Sequence, residues 1–263
     1  MQSTTETPRR IGMVGVGLMG HGIARNLLKA GHSLIFLDHP GNQPVDDLLA
    51  AGAESRASAR EVAEGAEVVL LCVTGSPQVE AVLLAADGVL AGLAPDTVVV
   101  DCSTALPSST AKVAASVEAA GGRFMDAAMT RTPKEAEEGR LNLIVGAPQA
   151  LFDELRPLLA CFAENIAHAG EVSAGHTLKL LHNFVSLGFA AVLAEATAAS
   201  RRSGIDDAAL LEVLGKGGGG GVVLERLRPF IESGDASGFR FSVANASKDL
   251  GYYHAMTDEL GVA

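Results

Sequence analysis

The chain has 263 residues, which at ~150 residues per domain indicates about two domains. Its net charge of −11 excludes a general nucleic-acid binder, because such proteins need a basic surface to neutralise phosphates. Hydrophobic residues make up 48% of the chain and charged residues 19%, so disorder is excluded for most of its length.

The first two thirds of the chain alternate between short β-rich runs and amphipathic segments. The predicted strands are Ile11–Gly15, Leu34–Leu37, Val68–Val73, Val98–Asp101, Arg123–Asp126 and Leu141–Val145. The predicted helices between them are Gly20–Ala30, Pro77–Leu84, Ser108–Ala119 and Gln149–Leu159. Several of the strands are apolar throughout, which is typical when helices cover both faces of a sheet. The alternation therefore predicts an α/β fold with a doubly wound, mostly parallel sheet.

After Gly170 the pattern is helical, and we predict no strand there. The predicted helices are Ser173–Arg202, Ile205–Leu214, Val222–Ile231 and Val243–Leu260. The glycine run Gly217–Gly221 is predicted to be a flexible turn between two of them. The change in pattern near His168–Val172 predicts domains of residues 1–170 and 171–263.

The composition and the terminus predict a cytoplasmic protein. The three cysteines, Cys72, Cys102 and Cys161, form neither a metal-ligand pair nor an even disulfide framework, so we expect no metal site and a reducing compartment. The segment Met1–Arg10 is polar and unlike a signal peptide. The most apolar stretch, Phe184–Ala194, is too short to cross a bilayer, and a buried helix is expected there rather than a membrane contact.

The segment Gly15–Gly20 fits the pattern G-x-G-x-x-G between an apolar strand and a helix, which is the context that dinucleotide binding needs. Gly15 permits a tight turn, Gly17 the approach of a pyrophosphate, and Gly20 close packing of helix on strand. The phosphates would lie on free N–H groups at the helix start, so Leu18 and Met19 belong to the same predicted site. A glycine-rich turn without a ligand is the alternative.

Asp38 ends the second predicted strand, 23 positions after Gly15. An acid at this place can accept hydrogen bonds from ribose hydroxyls and would repel a 2′-phosphate. Neither His39 nor Pro40 supplies the arginine that would favour such a phosphate. The sequence therefore predicts NAD in preference to NADP.

Six segments together resemble the β-hydroxyacid dehydrogenase family, which includes 3-hydroxyisobutyrate dehydrogenase and tartronate semialdehyde reductase. They are GVGLMGHGIARNLLKAGH (Gly15–His32), DCSTALP (Asp101–Pro107), DAAMTRT (Asp126–Thr132), AEEGRL (Ala136–Leu141), GHTLKLLHN (Gly175–Asn183) and KDLG (Lys248–Gly251).

The resemblance covers nearly the whole chain. It implies a Rossmann-type domain, a long helix joining it to an all-helical second domain, and hydride transfer with NAD(P). It also implies a homodimer or homotetramer. The positions that it places in contact with the cofactor are Val73, Thr74, Gln78 and Thr104.

Lys179 and Asn183 are four residues apart on the predicted long helix, so they project from one face. Apolar neighbours such as Leu178 and Leu180 would favour the neutral amine, which makes proton transfer feasible near neutral pH. The resemblance implies that Lys179 is the general acid and base and that Asn183 orients the substrate. A lysine extended toward solvent beside a solvated asparagine is the alternative.

His182 lies where the family commonly has a second asparagine, and the pattern K-x-x-H-N is similar to 6-phosphogluconate dehydrogenase. The catalytic glutamate of that enzyme would fall on Ser186, and its longer helical domain is missing, so sugar-phosphate decarboxylation is disfavoured. His182 is either a substrate contact or a structural histidine. The resemblance implies that Lys248 closes over cofactor and substrate, with a solvated lysine as the alternative, and Asp249 is expected to be a structural partner.

The chain departs from the family at Thr130-Arg131-Thr132, where Ser-Gly-Gly usually binds the substrate carboxylate. The guanidinium of Arg131 suits bidentate binding of a carboxylate, sulfonate or phosphate. A similar Arg-Thr pair occurs in sulfolactaldehyde reductase. Alternatively, Arg131 points outward and blocks the usual pocket.

These features predict an NAD-dependent dehydrogenase acting on a small anionic substrate, a 3-hydroxy acid or its semialdehyde. The alternatives are a sulfolactaldehyde-type or dicarboxylic semialdehyde reductase that uses Arg131, an imine reductase, and a non-catalytic NAD-binding protein. Imine reductases generally lack a lysine at the position of Lys179. A non-catalytic protein would not need Lys179, Asn183 and Lys248 together.

Overall fold

The computed structural model describes residues 7–238 and 241–262. The strands are β1 Arg10–Val14, β2 Ser33–Leu37, β3 Glu54–Arg56, β4 Val68–Leu71, β5 Val98–Asp101, β6 Arg123–Thr130, β7 Leu141–Gly146 and β8 Ala163–Gly170. The α-helices are α1 Gly20–Lys29, α2 Asp46–Ala50, α3 Ala59–Glu64, α4 Ser76–Leu84, α5 Pro107–Ala119, α6 Pro133–Glu137, α7 Gln149–Leu159, α8 Ala174–Arg202, α9 Asp207–Lys216, α10 Val222–Ser233 and α11 Val243–Leu260.

The eight strands form one sheet in the order β3-β2-β1-β4-β5-β6-β7-β8. Neighbouring strands are parallel except for the antiparallel pair β6 and β7. The predicted doubly wound, mostly parallel sheet is therefore confirmed. Strand β1 has β2 on one side and β4 on the other, so the loop after β1 opens where the strand order reverses. Ligands bind at this point in such sheets.

The sheet is packed on both faces. Along β4, Val68 and Leu70 belong to the core on one face, while Val69 and Leu71 belong to the core on the other. All four side chains are fully buried. Burial on both faces explains why the central strands are apolar at every position instead of alternating with polar residues.

Two strands, β3 and β8, were not predicted from the sequence. Both lie at the edges of the sheet. Strand β3 has three residues, all polar, and in β8 the side chains of Glu164 and Asn165 are exposed. Edge strands carry polar and charged residues because one side of each strand has no strand neighbour, so the apolar pattern is lost there.

The chain divides into two compact units, one that ends at Lys179 and one that begins at Leu180. Helix α8 starts in the first unit and continues into the second. The described residues of the second unit contain helices and turns without strands, which confirms the predicted all-helical region. Its apolar core consists of Leu193, Leu211, Leu224 and Ile231. The glycine run Gly217–Gly221 connects α9 to α10.

The apolar middle of α8 is more exposed than predicted. Phe184, Val185 and Val192 expose 45%, 68% and 62% of their surface. The expectation of a buried helix at Phe184–Ala194 is therefore wrong for the described residues, because apolar residues surround the helix and packing covers only some of its sides. The 29-residue helix has the length and hydropathy to cross a membrane, a property that core helices of soluble proteins share.

Candidate active site

The three glycines of the loop between β1 and α1 are needed for different reasons. Gly15 has a φ of +98°, and a Cβ there would overlap the carbonyl oxygen of Cys72. A Cβ at Gly20 would overlap the carbonyl oxygen of Gly15. By contrast, the only described atom that a Cβ at Gly17 would meet is the carbonyl oxygen of Gly41, at 3.9 Å. Since the fold itself does not require a glycine at position 17, the free space there fits the approach of a pyrophosphate.

The start of α1 provides N–H groups that the chain does not use. The N–H of His21 donates to the carbonyl of Gly17 at 2.9 Å. In residues 7–238 and 241–262, the N–H groups of Leu18, Met19 and Gly20 donate to no acceptor. Such groups, with the positive end of the helix dipole, bind phosphate. This loop can therefore hold the diphosphate of NAD or NADP.

Asp38 follows β2 and is exposed. In the described part of the chain its carboxylate has neither a hydrogen-bond nor an ion-pair partner. The segment after it is tied to the glycine loop, because Asn42 Oδ1 accepts from the N–H of Val16 at 3.3 Å and Asn42 Nδ2 donates to Leu37 O at 2.9 Å. Asp38 thus lies near the loop with its oxygens available to ribose hydroxyls.

Four other predicted cofactor residues follow β4 and β5. The N–H of Val73 donates to Ser103 Oγ at 3.0 Å, which joins the ends of the two strands. Thr74 is exposed and Thr104 is half-buried, while Gln78 is exposed on α4. The structure places these residues at or just beyond the carboxyl edge of the parallel strands, where a nicotinamide can bind.

The first turn of α8 is held by two buried residues whose roles were not predicted. Asp126 Oδ1 accepts from the N–H of Ser173 at 2.7 Å, and Oδ2 accepts from the N–H of His176 at 2.8 Å. Burial raises the pKa of Asp126, while His176 and these two N–H groups oppose the rise. The ring of His176 contacts Thr110 Oγ1 at 2.7 Å and donates to Ser103 O at 3.2 Å. The sequence signal for Asp126 is a charged residue inside an apolar stretch, between Phe124-Met125 and Ala127-Ala128.

Lys179 and Asn183, the predicted catalytic pair, are both buried. Lys179 exposes 8% of its surface and Asn183 exposes 6%. Both lie on α8, and their four-residue spacing places them on one face of that helix. Lys179 follows His176 by about one turn, so it lies beside the part of α8 that makes the contacts of His176.

Asp249 of α11 connects two further predicted site residues. Its carboxylate is 2% exposed and accepts from Asn183 Nδ2 at 2.7 Å. Lys248 Nζ forms an ion pair with Asp249 Oδ1 at 3.1 Å and lies 5.4 Å from the ring centroid of Tyr252. His182 Nδ1 lies 3.0 Å from Asn183 Oδ1, which accepts a hydrogen bond from it. The amide of Asn183 is therefore oriented by His182 and Asp249.

Two features of Arg131 were not predicted: its backbone conformation and the partner of its side chain. Its φ of +81° lies in the left-handed region that favours glycine. Its guanidinium donates to the carbonyl of Arg140 and to the carboxylate of Glu164. The hydrogen bond from Arg131 lowers the pKa of Glu164. Arg131 therefore forms an ion pair with an acid of β8, 33 residues away in sequence, which also lies 3.7 Å from Arg140 Nε.

The two threonines beside Arg131 also have partners. Thr130 Oγ1 accepts from Asn142 Nδ2 at 3.1 Å. The N–H and hydroxyl of Thr132 both donate to Glu135 Oε2, at 2.9 and 2.6 Å, at the start of α6. A carboxylate that bound the N–H of Thr132 would compete with Glu135.

Two protein families match this chain. Residues 10–170 match the family described as the NAD binding domain of 6-phosphogluconate dehydrogenase. Residues 173–263 match the family described as NAD-binding of NADP-dependent 3-hydroxyisobutyrate dehydrogenase. Together the two matches cover almost the whole chain.

Curated proteins and solved structures of similar sequence span the same region. A 3-hydroxyisobutyrate dehydrogenase of Pseudomonas aeruginosa is 37% identical over 251 residues, with 92% of this chain and 83% of that protein covered. An NAD-dependent L-serine dehydrogenase of the same organism is 35% identical, with the same shares covered. The structure of Mycobacterium tuberculosis 3-hydroxyisobutyrate dehydrogenase with L-serine is 26% identical, has a TM-score of 0.88, and covers 98% of this chain and 89% of that chain.

Proposed function

This chain belongs to the β-hydroxyacid dehydrogenase family of NAD(P)-dependent oxidoreductases that act on CH–OH donors, and from that premise we propose its substrate class, cofactor and catalytic residues. The proposed reaction interconverts a small 3-hydroxy acid and its semialdehyde, with NAD as cofactor. The bound nicotinamide supplies or accepts the hydride. Lys179 gives a proton to the carbonyl oxygen in reduction and takes it from the hydroxyl in oxidation.

The burial of Lys179 is the observation that carries this proposal. With 8% of its surface exposed, Lys179 is largely removed from bulk water. Burial of an amine in general favours its neutral form, and a residue that both gives and takes a proton near neutral pH uses both forms. Its position one turn beyond His176 places it on the part of α8 that is tied to the strand ends through Ser103.

Asn183 is proposed to orient the substrate. Its Oδ1 accepts from His182, and one of its Nδ2 hydrogens is donated to Asp249. In the described part of the chain the second Nδ2 hydrogen is left for an external acceptor, such as a substrate oxygen. Lys248 is proposed to contact the substrate or the cofactor from α11, where Asp249 holds its ammonium group.

The pairing of Arg131 with Glu164 favours a substrate with one carboxylate. A second acidic group, such as a sulfonate, would compete with Glu164 for the guanidinium. Thr130, Arg131 and Thr132 are therefore proposed to bind the single carboxylate through backbone N–H groups of their turn, with Glu135 giving way at Thr132. An anion clamp at Arg131 stays a prediction for substrates with two acidic groups.

The preference for NAD is proposed from Asp38. Its carboxylate, which has no partner among residues 7–238 and 241–262, can accept from the adenosine ribose hydroxyls, and it would repel the 2′-phosphate of NADP. We also propose a cytoplasmic location. We propose a homodimer or homotetramer as well, because the exposed apolar side chains of α8 are suited to burial by a second copy. Light scattering of the purified protein measures its mass in solution and tests the oligomer.

A panel of substrates tests the proposed function. L-Serine, 3-hydroxyisobutyrate, a hydroxy acid with a second carboxylate and a neutral alcohol are each assayed with NAD and with NADP, by absorbance of the reduced cofactor. We expect turnover of a one-carboxylate hydroxy acid with NAD, and the neutral alcohol to be at least ~100-fold poorer in kcat/KM, since a lost ionic contact costs about 3 kcal/mol. Absence of turnover with every hydroxy acid and semialdehyde would refute the proposal.

Arg131→Ala in the same panel distinguishes the two uses of this arginine. If Arg131 clamps a second anion, its removal raises KM for the substrate with two carboxylates and leaves the others unchanged. If it only ties β6 to β8, KM is unchanged for all substrates and the protein is less stable.

A further inference from the structure

The carboxylate of Asp126 is closely packed against the first turn of α8 and against the end of β7. A Cβ at Gly175 would lie 2.7 Å from Asp126 Oδ2, and a Cβ at Gly146 would lie 2.5 Å from Oδ1. Ser173, with a φ of +78°, presents its N–H to this carboxylate, and its hydroxyl donates to Pro107 O at 3.1 Å. A carboxylate so placed satisfies N–H groups that a helix start leaves unpaired, and its charge faces the positive end of the dipole.

Hydrogen bonds of His176 connect the first turn of α8 to the ends of two strands. A carbonyl oxygen only accepts, so the contact with Ser103 O requires a hydrogen on Nε2. Nδ1 lies 2.7 Å from Thr110 Oγ1, whose hydroxyl also donates to Leu106 O at 3.2 Å. Ser103 in turn accepts the N–H of Val73 through Oγ. A continuous set of hydrogen bonds therefore runs from α8 to the ends of β5 and β4.

The position of Lys179 depends on this connection. Three residues along an α-helix correspond to ~4.5 Å along its axis, so Lys179 lies close to the fixed point at His176. A tilt or shift of this turn moves the amine relative to the ends of β4 and β5. Displacements of about 1 Å cost catalysis up to ~100-fold, because proton and hydride transfer need aligned groups.

We propose that Asp126 and His176 are positioning residues of the reaction, which hold Lys179 in a fixed place relative to the strand ends at Val73 and Thr104. Neither residue needs to contact the substrate. The inference rests on the proposed function, in which Lys179 transfers the proton.

Four variants test this role: Asp126→Asn, His176→Leu, His176→Gln and the control Asp206→Asn. Asp206 accepts from the N–H of Ala208 at the start of α9, so the control makes the same change at another helix start. Asp126→Asn and His176→Leu should lower kcat by about 10- to 100-fold. They should change KM and the Kd of NADH by less than about threefold, because the residues that bind both ligands are unchanged.

Two readouts separate positioning from general stability. With 4-deuterated NADH, the isotope effect on kcat should rise in Asp126→Asn and His176→Leu, because a misplaced amine makes the chemical step limiting. His176→Gln keeps a donor for Ser103 O and should recover most of kcat. Both His176 variants keep the carboxylate of Asp126. If Asp126→Asn does not fold, the comparison of His176→Leu with His176→Gln therefore still tests the positioning role.

The outcomes distinguish this inference from the proposed function. One outcome refutes the positioning role and leaves the proposed function standing. In it the wild type turns over a substrate, Lys179→Met does not, and the Asp126 and His176 variants keep kcat within twofold of the wild type. A fall in kcat matched by an equal loss of NADH binding, or by an equal fall in Asp206→Asn, also refutes it. If the wild type turns over no substrate, the proposed function fails, and the positioning role fails with it.

Discussion

The glycine loop after β1 and the polar cluster of α8 and α11 are built in opposite ways. The loop consists of six consecutive residues, and its binding groups are backbone N–H groups made accessible by glycine. The cluster joins Asn183 to Asp249, 66 residues apart, through side chains buried on two helices. A local motif of small residues can be recognised in the sequence, whereas a cluster made by tertiary packing can be recognised only in the three-dimensional structure.

The strongest test of this contrast compares two glycines of the loop. Gly15→Ala should lower the free energy of unfolding by ~2–3 kcal/mol, because the residue has a φ of +98° and its Cβ would overlap Cys72 O. Gly17→Ala should change it by less than ~0.5 kcal/mol yet weaken NADH binding by about tenfold or more, since the methyl group occupies the space for the pyrophosphate. Denaturant unfolding and fluorescence titration with NADH measure the two effects. Equal losses of stability in both variants would contradict this explanation of the loop.

The next largest effect is expected in the helical cluster. Asp249→Ala removes the acceptor of Asn183 and the partner of Lys248, and should destabilise the protein by ~1–3 kcal/mol, because buried polar groups lose their partners. We also expect kcat to fall by about tenfold or more, as the amide of Asn183 is no longer held. Asp258→Ala, an exposed acid of the same helix, is the matched control and should change neither quantity. Wild-type kcat in Asp249→Ala would show that the orientation of Asn183 is not important.

A smaller effect is expected at Asp38. Asp38→Ser should shift the ratio of kcat/KM for NAD over NADP toward NADP by about tenfold, since the carboxylate that repels the 2′-phosphate is removed. Asp46→Ser removes another exposed acid nearby in sequence and should leave the ratio unchanged. An unchanged ratio in Asp38→Ser would mean that another residue selects the cofactor.

The smallest effect concerns the thiols beneath the loop. Burial raises the pKa of Cys72 to about 12, and the nearby Asp101 carboxylate adds to the rise. At pH 8 only about one thiol in 10,000 is then a reactive thiolate. Iodoacetamide followed by mass spectrometry should label Cys161 and leave Cys72 and Cys102 unlabelled until the protein is unfolded. Rapid labelling of Cys72 in the native protein would contradict the raised pKa of its thiol.

Most of the sheet was predictable because its central strands are apolar and its helices alternate with them. The edge strands β3 and β8 were not, since polar residues at an edge remove the pattern. The glycine loop and Asp38 were predicted from the glycine motif, its place between a strand and a helix, and the spacing to the end of the second strand. The roles of Asp126, His176 and Glu164 depend on partners at least 33 residues away, and no local periodicity indicates such pairs.

The most direct test of the account measures cofactor binding and turnover in the same preparation of Lys179→Met, beside the wild type and Lys216→Met, an exposed lysine of α9. A Kd of NADH within about twofold of the wild type, with kcat lower by at least ~1,000-fold, is the predicted result, because a general acid contributes 10²–10⁴-fold and methionine cannot replace it. A kcat within tenfold of the wild type would contradict the account, since the proton would then come from another group.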